Sequence, residues 1–141
     1  MAFKVYLDNC CFNRPFDDQN QVRIRIETEA KLFIQMRVKA NELELAWSYI
    51  LDFENSVNPF YIRKLTIESW KKRAYVYVTE NNIILEQANS FVNHNLRPKD
   101  ALHIACAIDA GCDYFITTSD SLFIEFYQGE SQTPCLFMQV M

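Results

Sequence analysis

The sequence predicts an α/β fold with a mainly parallel central sheet flanked by helices. Short runs rich in β-branched and aromatic residues alternate with longer stretches of helical spacing, and half of the residues are hydrophobic. A chain of 141 residues also suffices to bury about 70% of its unfolded surface. With 2 glycines and 4 prolines, the composition excludes a collagenous, disordered or low-complexity chain. We expect a single domain over residues 1–141, without internal repeat or linker.

The N-terminal part predicts a strand, a loop and a long helix. Phe3–Leu7 is short, β-branched and aromatic, and this strand ends at Asp8. Residues 9–20 are rich in Asn, Asp and Pro and predict a loop. Residues 21–40 contain strong helix formers and predict a helix, although residues 23–26 alone would suit a strand. The apolar residues at helical spacing in this stretch are Val22, Ile26, Ala30 and Phe33.

The middle of the chain predicts a second strand and two helices. Leu43–Trp47 is strand-like, and Ser48 suits the N-cap of a helix that reaches Glu54. A further helix, opened by a proline, is expected over residues 59–73. Residues 75–78 are either an extended linker or a minor strand.

The C-terminal part predicts further alternation. A polar helix is expected over residues 80–93, and Pro98 starts another that continues over residues 100–110 until Gly111 ends it. Tyr114–Thr117 is a third strand. The last predicted elements are a short helix that Ser119 or Asp120 caps and that reaches about Phe126, and a strand at Cys135–Met138. Because strands alternate with helices, the sheet should be parallel.

Composition and charge narrow the class of protein. The longest clear apolar run, Ala74–Val78, is far shorter than the roughly 20 residues that span a bilayer. Met1–Asp8 lacks the features of a signal peptide, so we expect a cytoplasmic protein without a membrane partner. The 5 cysteines include no C-x-x-C pair and predict reduced thiols. A net charge of −4 argues against holding nucleic acid by bulk electrostatics, but it does not exclude an enzyme whose acids bind metal ions.

Acidic residues lie where the predicted strands end. Asp8 ends the first strand, Asp52 and Glu54 follow the second, and Asp120 follows the third. Asp100, in the first turn of a helix that leads into the third strand, can reach the same edge, where open parallel sheets bind ligands. Each acid alone would also suit a helix cap. Carboxylates 4 Å apart repel by about 4 kcal/mol at an effective dielectric of 20, so a cation is needed. Oxygen ligands without Cys or His spacing favour Mg²⁺ or Mn²⁺ over zinc.

Other polar residues have a functional and an ordinary interpretation. Arg14 and the basic run at residues 71–73 suit phosphate contacts, although a solvated helix end explains the run equally well. Thr118 can bind a phosphate or support Asp120, or it is simply a threonine at a strand end. Asn9 can hydrogen-bond a carboxylate or a phosphate, or form a turn.

His103 and four glutamates are expected to play structural or surface roles. His103 lies about 60° around its helix from Asp100, but its apolar neighbours favour a packed histidine. The acids expected at the surface are Glu27, Glu29, Glu42 and Glu44.

Four features together resemble a known family over most of the chain. They are the strand ending in Asp8, the S-x-x-x-x-x-E spacing of Ser48 and Glu54, the string "DALHIACAIDAGCDYFIT" beginning at Asp100, and "TSD" ending at Asp120. In this order they resemble a PIN domain, the PilT N-terminus nuclease fold, which is a three-layer sandwich. The chain departs from the family pattern at Asn9 and Cys10, where Thr or Ser and then Asn are common.

The resemblance implies a metal-dependent ribonuclease that hydrolyses phosphodiester bonds. Asp8, Glu54, Asp100 and Asp120 would hold one or two Mg²⁺ or Mn²⁺ ions, and a bound metal activates water and stabilises charge in phosphoryl displacement. The substrate-binding or supporting residues would be Asn9, Arg14, Ser48 and Thr118. Family members of this size are often toxins of the virulence-associated protein C type. The implied partners are RNA and a cognate antitoxin protein, and a homodimer is left open.

Two other functions are alternatives to a nuclease. A non-catalytic PIN-like module that binds RNA or a protein is the main alternative, but such a module gains nothing from four carboxylates. A phosphoaspartate protein with Asp8 as nucleophile fits poorly. The phosphatase pattern requires an Asp at the position of Cys10, and a receiver requires a Lys where residues 117–119 are Thr-Thr-Ser.

Overall fold

Strands and helices follow one another along the described residues. The computed structural model describes residues 2–119, Leu122 and the backbone of residues 136–139. The strands are β1 (Phe3–Leu7), β2 (Leu43–Ser48), β3 (Ala74–Val78), β4 (Tyr114–Thr117) and β5 (Leu136–Gln139). The helices are α1 (Asn9–Asn13), α2 (Val22–Lys39), α3 (Tyr49–Ser56), α4 (Tyr61–Lys71), α5 (Asn82–Val92) and α6 (Pro98–Asp109), with a 3-10 turn at Arg14–Phe16.

The strands form one parallel sheet in the order β3-β2-β1-β4-β5. Val5 of β1 pairs with Leu45 on one side and with Tyr114 on the other. Consecutive residues of β1 are buried from Val5 to Leu7, because both faces of an inner parallel strand are covered. The predicted α/β class with a parallel sheet is therefore confirmed. The strand order reverses between β1 and β4, the position at which open sheets bind ligands.

The edge strand β3 decides between the two interpretations left open for residues 75–78. It pairs in parallel with β2, and its side chains alternate between more and less exposed positions. Among the described strands, β3 has a neighbour on one side only, so it is an edge strand of the sheet. On the opposite side of the sheet, β5 pairs with β4, one residue further along than predicted.

Local capping explains where several helices begin and end. The hydroxyl of Ser48 accepts a hydrogen bond from the Leu51 amide at 3.3 Å, and the Asn81 side chain accepts one from the Ile84 amide at 2.9 Å. Pro98 stands in the first turn of α6. Gly111, with a φ of 70°, follows the last turn of that helix in the left-handed conformation that glycine tolerates.

The loop predicted over residues 9–20 is wrong in its first half, which folds into α1 and the 3-10 turn. The Asp8 carboxylate caps α1 by accepting a hydrogen bond from the Asn9 amide at 2.8 Å. Phe12 is buried, and its ring meets Trp47 edge-on at 5.3 Å between centroids. Because five residues form only a marginal helix alone, this packing stabilises a helix that propensity does not predict.

The long helix α2 turns a polar face inward. Val22, Ile26 and Phe33, which carry the helical spacing, are 60%, 47% and 56% exposed. The buried positions of this helix are Glu27, Thr28, Lys31, Gln35 and Val38. The helix itself was predicted correctly, but periodicity alone did not identify the face that packs against the rest of the protein.

The surface prediction for Glu27 is wrong, since this side chain is fully buried. Its Oε1 lies 3.3 Å from Arg14 Nε and 3.6 Å from Arg23 Nε. Two guanidinium groups offset the cost of burying a carboxylate. Glu29 and Glu42 are exposed, as expected.

Some sequence predictions lie outside the described residues. Asp120 and Cys135 are among them, as is most of the short helix predicted to reach Phe126, of which Leu122 is described as helical. Cys10, Cys11 and Cys106 are free thiols within the described part of the chain. None of the helices in the described part of the chain combines the length and hydrophobicity needed to cross a membrane.

Candidate active site

A cavity of about 640 Å³ opens where β1, α3 and the start of α6 meet. Asp8, Glu54 and Asp100, three of the four predicted acids, line it. Its wall also contains Asn9, Cys10, Arg97, Lys99 and Ser119. We call this cavity the acidic pocket. Asp120 follows Ser119 directly in the sequence but lies outside the described residues.

Asp8 is held by the neighbouring strand. Its carboxylate is 6% exposed and accepts a hydrogen bond from the Thr117 hydroxyl at 2.9 Å. The Cys10 thiol lies 3.4 Å from the same oxygen, and the Asn9 amide donates to the other one. These donors come from β4 and from the first turn of α1, so the sheet and the helix together orient this carboxylate.

Glu54 forms a hydrogen-bonded ion pair with His103. Glu54 Oε1 meets His103 Nε2, and this contact links α3 to α6. Burial raises the pKa of the Glu54 carboxyl, but the hydrogen bond and charge of His103, with the charge of Lys99, outweigh burial and hold it below its ordinary value. Glu54 is therefore ionised at neutral pH.

A buried hydrogen-bond chain fixes His103. The Tyr6 hydroxyl lies 2.5 Å from His103 Nδ1 and 2.7 Å from Ser48 Oγ. His103 is 1% exposed; burial lowers its pKa, but the contact with Glu54 and the charge of Asp8 raise it overall. A protonated imidazole donates from both nitrogens, so the chain Ser48–Tyr6–His103–Glu54 is fully hydrogen-bonded.

His103 is packed, as the sequence predicts, yet it also reaches the acidic pocket. It lies 3.8 Å from Asp8 Oδ1 and contacts Glu54. Tyr6 was not identified from the sequence. The signal that could have found it is its place two residues before Asp8, because alternate residues of a strand point to the same face.

The raised pKa of Asp100 indicates that negative charges lie close together in the acidic pocket. Burial raises the pKa of its carboxyl to about 6, and the charges of Asp8 and Glu54 act in the same direction, against His103 and Arg97. The three carboxylates are therefore close enough to sense one another. A cation between them would relieve this repulsion.

The donor chemistry of the acidic pocket fits a hard divalent cation. Three carboxylates line it, and the Oδ1 of Asn9 is buried without a hydrogen-bond partner within the described residues. Oxygen donors of this kind bind Mg²⁺ or Mn²⁺. Across residues 2–119, however, no three His, Cys, Asp or Glu side chains form a ready metal-binding group. Asp120, the fourth acid predicted to bind the metal, lies outside these residues.

Asp52 lies outside the acidic pocket and is hydrogen-bonded elsewhere. Its oxygens accept hydrogen bonds from Trp47 Nε1 at 2.9 Å, from Lys71 Nζ at 3.1 Å and from the Tyr77 hydroxyl. It does not line the acidic pocket, whereas Glu54 does. The structure thus separates the two acids that follow β2, and Lys71 of the basic run is paired.

The remaining predicted residues, Arg14, Ser48 and Thr118, do not line the acidic pocket. Arg14 pairs with Asp17 at 2.8 Å and with Glu27. Ser48 caps α3 and contacts Tyr6. Thr118 is 2% exposed, and its Oγ1 has no hydrogen-bond partner within the described residues. Their roles toward a substrate stay predictions.

The fold defined by this sheet and its helices is that of a PIN domain, as the resemblance in the sequence implied. The chain is similar to a chain in the crystal structure of VapBC2 from Rickettsia felis bound to a DNA fragment from their promoter. The likeness covers 97% of the present chain and 98% of the other, with a TM-score of 0.59 and 10% sequence identity. It is similar over 99% of its length to all of a chain in DNA-bound VapBC from Salmonella typhimurium, with a TM-score of 0.59 and 14% identity. No family model and no curated protein matches the sequence. At these identities the likeness establishes the fold.

Proposed function

We propose that this protein is a divalent-metal-dependent endoribonuclease and the toxin of a toxin–antitoxin pair. The observation that carries the proposal is the convergence of Asp8, Glu54 and Asp100, from three separate elements, on one pocket at the switch point of the sheet. These acids, with Asp120 as the fourth, would hold Mg²⁺ or Mn²⁺. The bound metal would supply an activated water and stabilise charge on the phosphate.

The chain's own residues would orient the acids and the RNA. His103 holds Glu54, and Thr117 holds Asp8, so the two carboxylates are positioned before substrate arrives. Arg97 and Lys99 line the acidic pocket at the start of α6. A helix N-terminus with basic side chains favours a phosphate, so we assign them to the RNA backbone.

The partner proposal rests on the structural likeness. Both similar chains were crystallised as VapBC bound to DNA. We infer that the present chain, in the cytoplasm, is inhibited by a separate antitoxin that covers the acidic pocket. A homodimer is compatible with this arrangement.

The decisive experiment separates cleavage from binding. Labelled RNA is incubated with wild type and with Asp8→Asn, in Mn²⁺ or in EDTA. We expect wild type to cleave in Mn²⁺ and to leave 5′-phosphate and 3′-hydroxyl ends. Asp8→Asn should cleave at least about a hundredfold more slowly while retaining RNA affinity, because the charge of one metal ligand is removed. Equal cleavage by the variant would contradict the assignment.

A non-catalytic PIN-like binding module is the second candidate. It is favoured by one observation: Glu54 is satisfied by His103 and Asp8 by Thr117 without any metal. Tight RNA binding by wild type, with no cleavage in Mg²⁺ or Mn²⁺, would support this function over the nuclease.

A further inference from the structure

A second cavity, of about 650 Å³, lies between α2 and the C-terminal end of α4, and we call it the α2–α4 pocket. Among the residues that the structure describes, four positively charged side chains line it and no Asp or Glu does. They are Lys31, Lys39, Lys72 and Arg73. In a chain with a net charge of −4, this is a local reversal of charge.

Lys31 is an unusual member of this set, because its side chain is only 3% exposed. Its Nζ lies 5.6 Å from the centroid of the Phe12 ring. Burial lowers the pKa of Lys31 to about 8, and the group that opposes this shift is Cys11 rather than a carboxylate. A desolvated ammonium in a cavity wall is costly unless an anion accompanies it.

Gln35 lies one turn further along the same face of α2 and supplies a second donor. It is 3% exposed, and its Nε2 is buried without a hydrogen-bond partner within the described residues. Buried amide nitrogens are nearly always hydrogen-bonded in folded proteins. Lys31 and Gln35 thus present two neighbouring donors to a cavity whose lining contains no carboxylate.

We propose that the α2–α4 pocket binds a phosphate of the RNA strand, an inference that rests on the proposed ribonuclease function. Phe16 and Trp70 line the pocket beside the cations, and aromatic rings among basic side chains are the usual surface for single strands. The wall of the pocket begins at Pro15, while Asn9 lines the acidic pocket. Residues 10–14, which separate Asn9 from Pro15, span about 7.5 Å at the helical rise, so the Pro15 end of the pocket lies within reach of an RNA strand that enters the acidic pocket.

The experiment measures affinity for a labelled single-stranded RNA in EDTA, by fluorescence anisotropy at several salt concentrations. Lys31→Met keeps an unbranched apolar side chain and removes the buried charge. The pair Lys39→Gln with Lys72→Gln removes two exposed charges of the pocket. The matched control replaces one cation on α2 and one on α4 outside the pocket, the exposed Arg25 and the half-buried Lys64, as Arg25→Gln with Lys64→Gln.

We expect RNA binding in 0.1 M salt to weaken about fivefold for each pocket cation that no longer neutralises a phosphate. The pocket pair should therefore bind about 25-fold more weakly, with the slope of log Kd against log salt reduced by about 1.4. Lys31→Met should bind about fivefold more weakly, and the control pair about twofold more weakly or less. Circular dichroism confirms that each variant is folded.

Three results would overturn the inference. The first is that the pocket pair and the control pair weaken RNA binding equally. The second is that both pocket variants bind RNA with the affinity of wild type. The third is that a glutamate-rich peptide binds the pocket while an RNA of the same charge does not. A separate measurement of RNA cleavage in Mn²⁺ distinguishes failure of this inference from failure of the proposed nuclease function. A wild type that cleaves, with pocket variants that bind and cleave like it, refutes the pocket alone. A wild type that binds RNA through the pocket but never cleaves it supports the pocket and refutes the nuclease.

Discussion

Asp100→Asn should stabilise the metal-free protein, although it removes a proposed metal ligand. The pKa of the Asp100 carboxyl is raised to about 6 by burial and by the charges of Asp8 and Glu54, against an ordinary value of 3.8. An asparagine keeps the shape of the side chain and removes its charge. The substitution therefore isolates the electrostatic cost of the acidic pocket.

The magnitude follows from the two pKa values. A difference of about 2 corresponds to about 3 kcal/mol at 1.36 kcal/mol per pH unit. The Asp100 carboxyl is partly exposed, so solvent screening reduces this to about 1–2 kcal/mol. Because the pKa in the folded state exceeds that of the unfolded chain, the cost is fully present above about pH 7. It disappears as the pH falls from about 6 to about 4.

Thermal unfolding in EDTA between pH 4 and pH 8 tests this reasoning. At pH 7.5 the variant should melt about 3–8 °C above wild type, and the two curves should converge toward pH 4. Adding Mn²⁺ should stabilise wild type more than the variant, since one ligand charge is missing. A variant that is less stable than wild type at pH 7.5, or a difference that does not change with pH, would refute the electrostatic account.

Four further predictions follow from the described contacts. Glu54→Gln should slow RNA cleavage at least about a hundredfold in a gel assay. Asp52→Asn should keep cleavage and reduce stability by about 1–3 kcal/mol in urea unfolding, because asparagine keeps only one of the two acceptor oxygens and the donors to the other lose their partner. Tyr6→Phe should cost about 1–3 kcal/mol and lower the cleavage rate without weakening RNA binding. Mn²⁺ at a hundred times its Kd should stabilise wild type by about 2.7 kcal/mol in a thermal melt, and no shift would count against the site. Gly111→Ala should cost about 1–2 kcal/mol through its left-handed φ alone, since the nearest atom, Lys4 Nζ, is 3.9 Å from an added Cβ.

Helix α1 shows where local reasoning was insufficient. Asn, Asp and Pro predict turns in residues 9–20, and that preference is real for an isolated chain. The helix exists because Asp8 caps it and because Phe12 packs against Trp47, a residue 35 positions away in the sequence. Tertiary packing thus overrides local propensity in this segment.

The buried polar contacts could not be predicted from the sequence either. Glu27 and Lys31 have the residue types of a solvated helix face, yet both are buried. Tyr6, His103 and Glu54 form one hydrogen-bond chain although 97 and 49 positions separate its successive pairs. No spacing rule within a single helix or strand relates such partners.

The sequence by itself determined the α/β class, the parallel sheet, most of the strands and helices, and the acids that stand where strands end, because these depend on alternation and on capping within a few residues. Only the tertiary structure decided that residues 9–13 form a helix, which face of α2 is buried, and which group holds Glu54. The physical reason is that hydrophobic periodicity indicates the type of secondary structure but does not identify the side chains that an element contacts. Burial, ion pairing and pKa are set by side chains that chain folding brings together from distant positions.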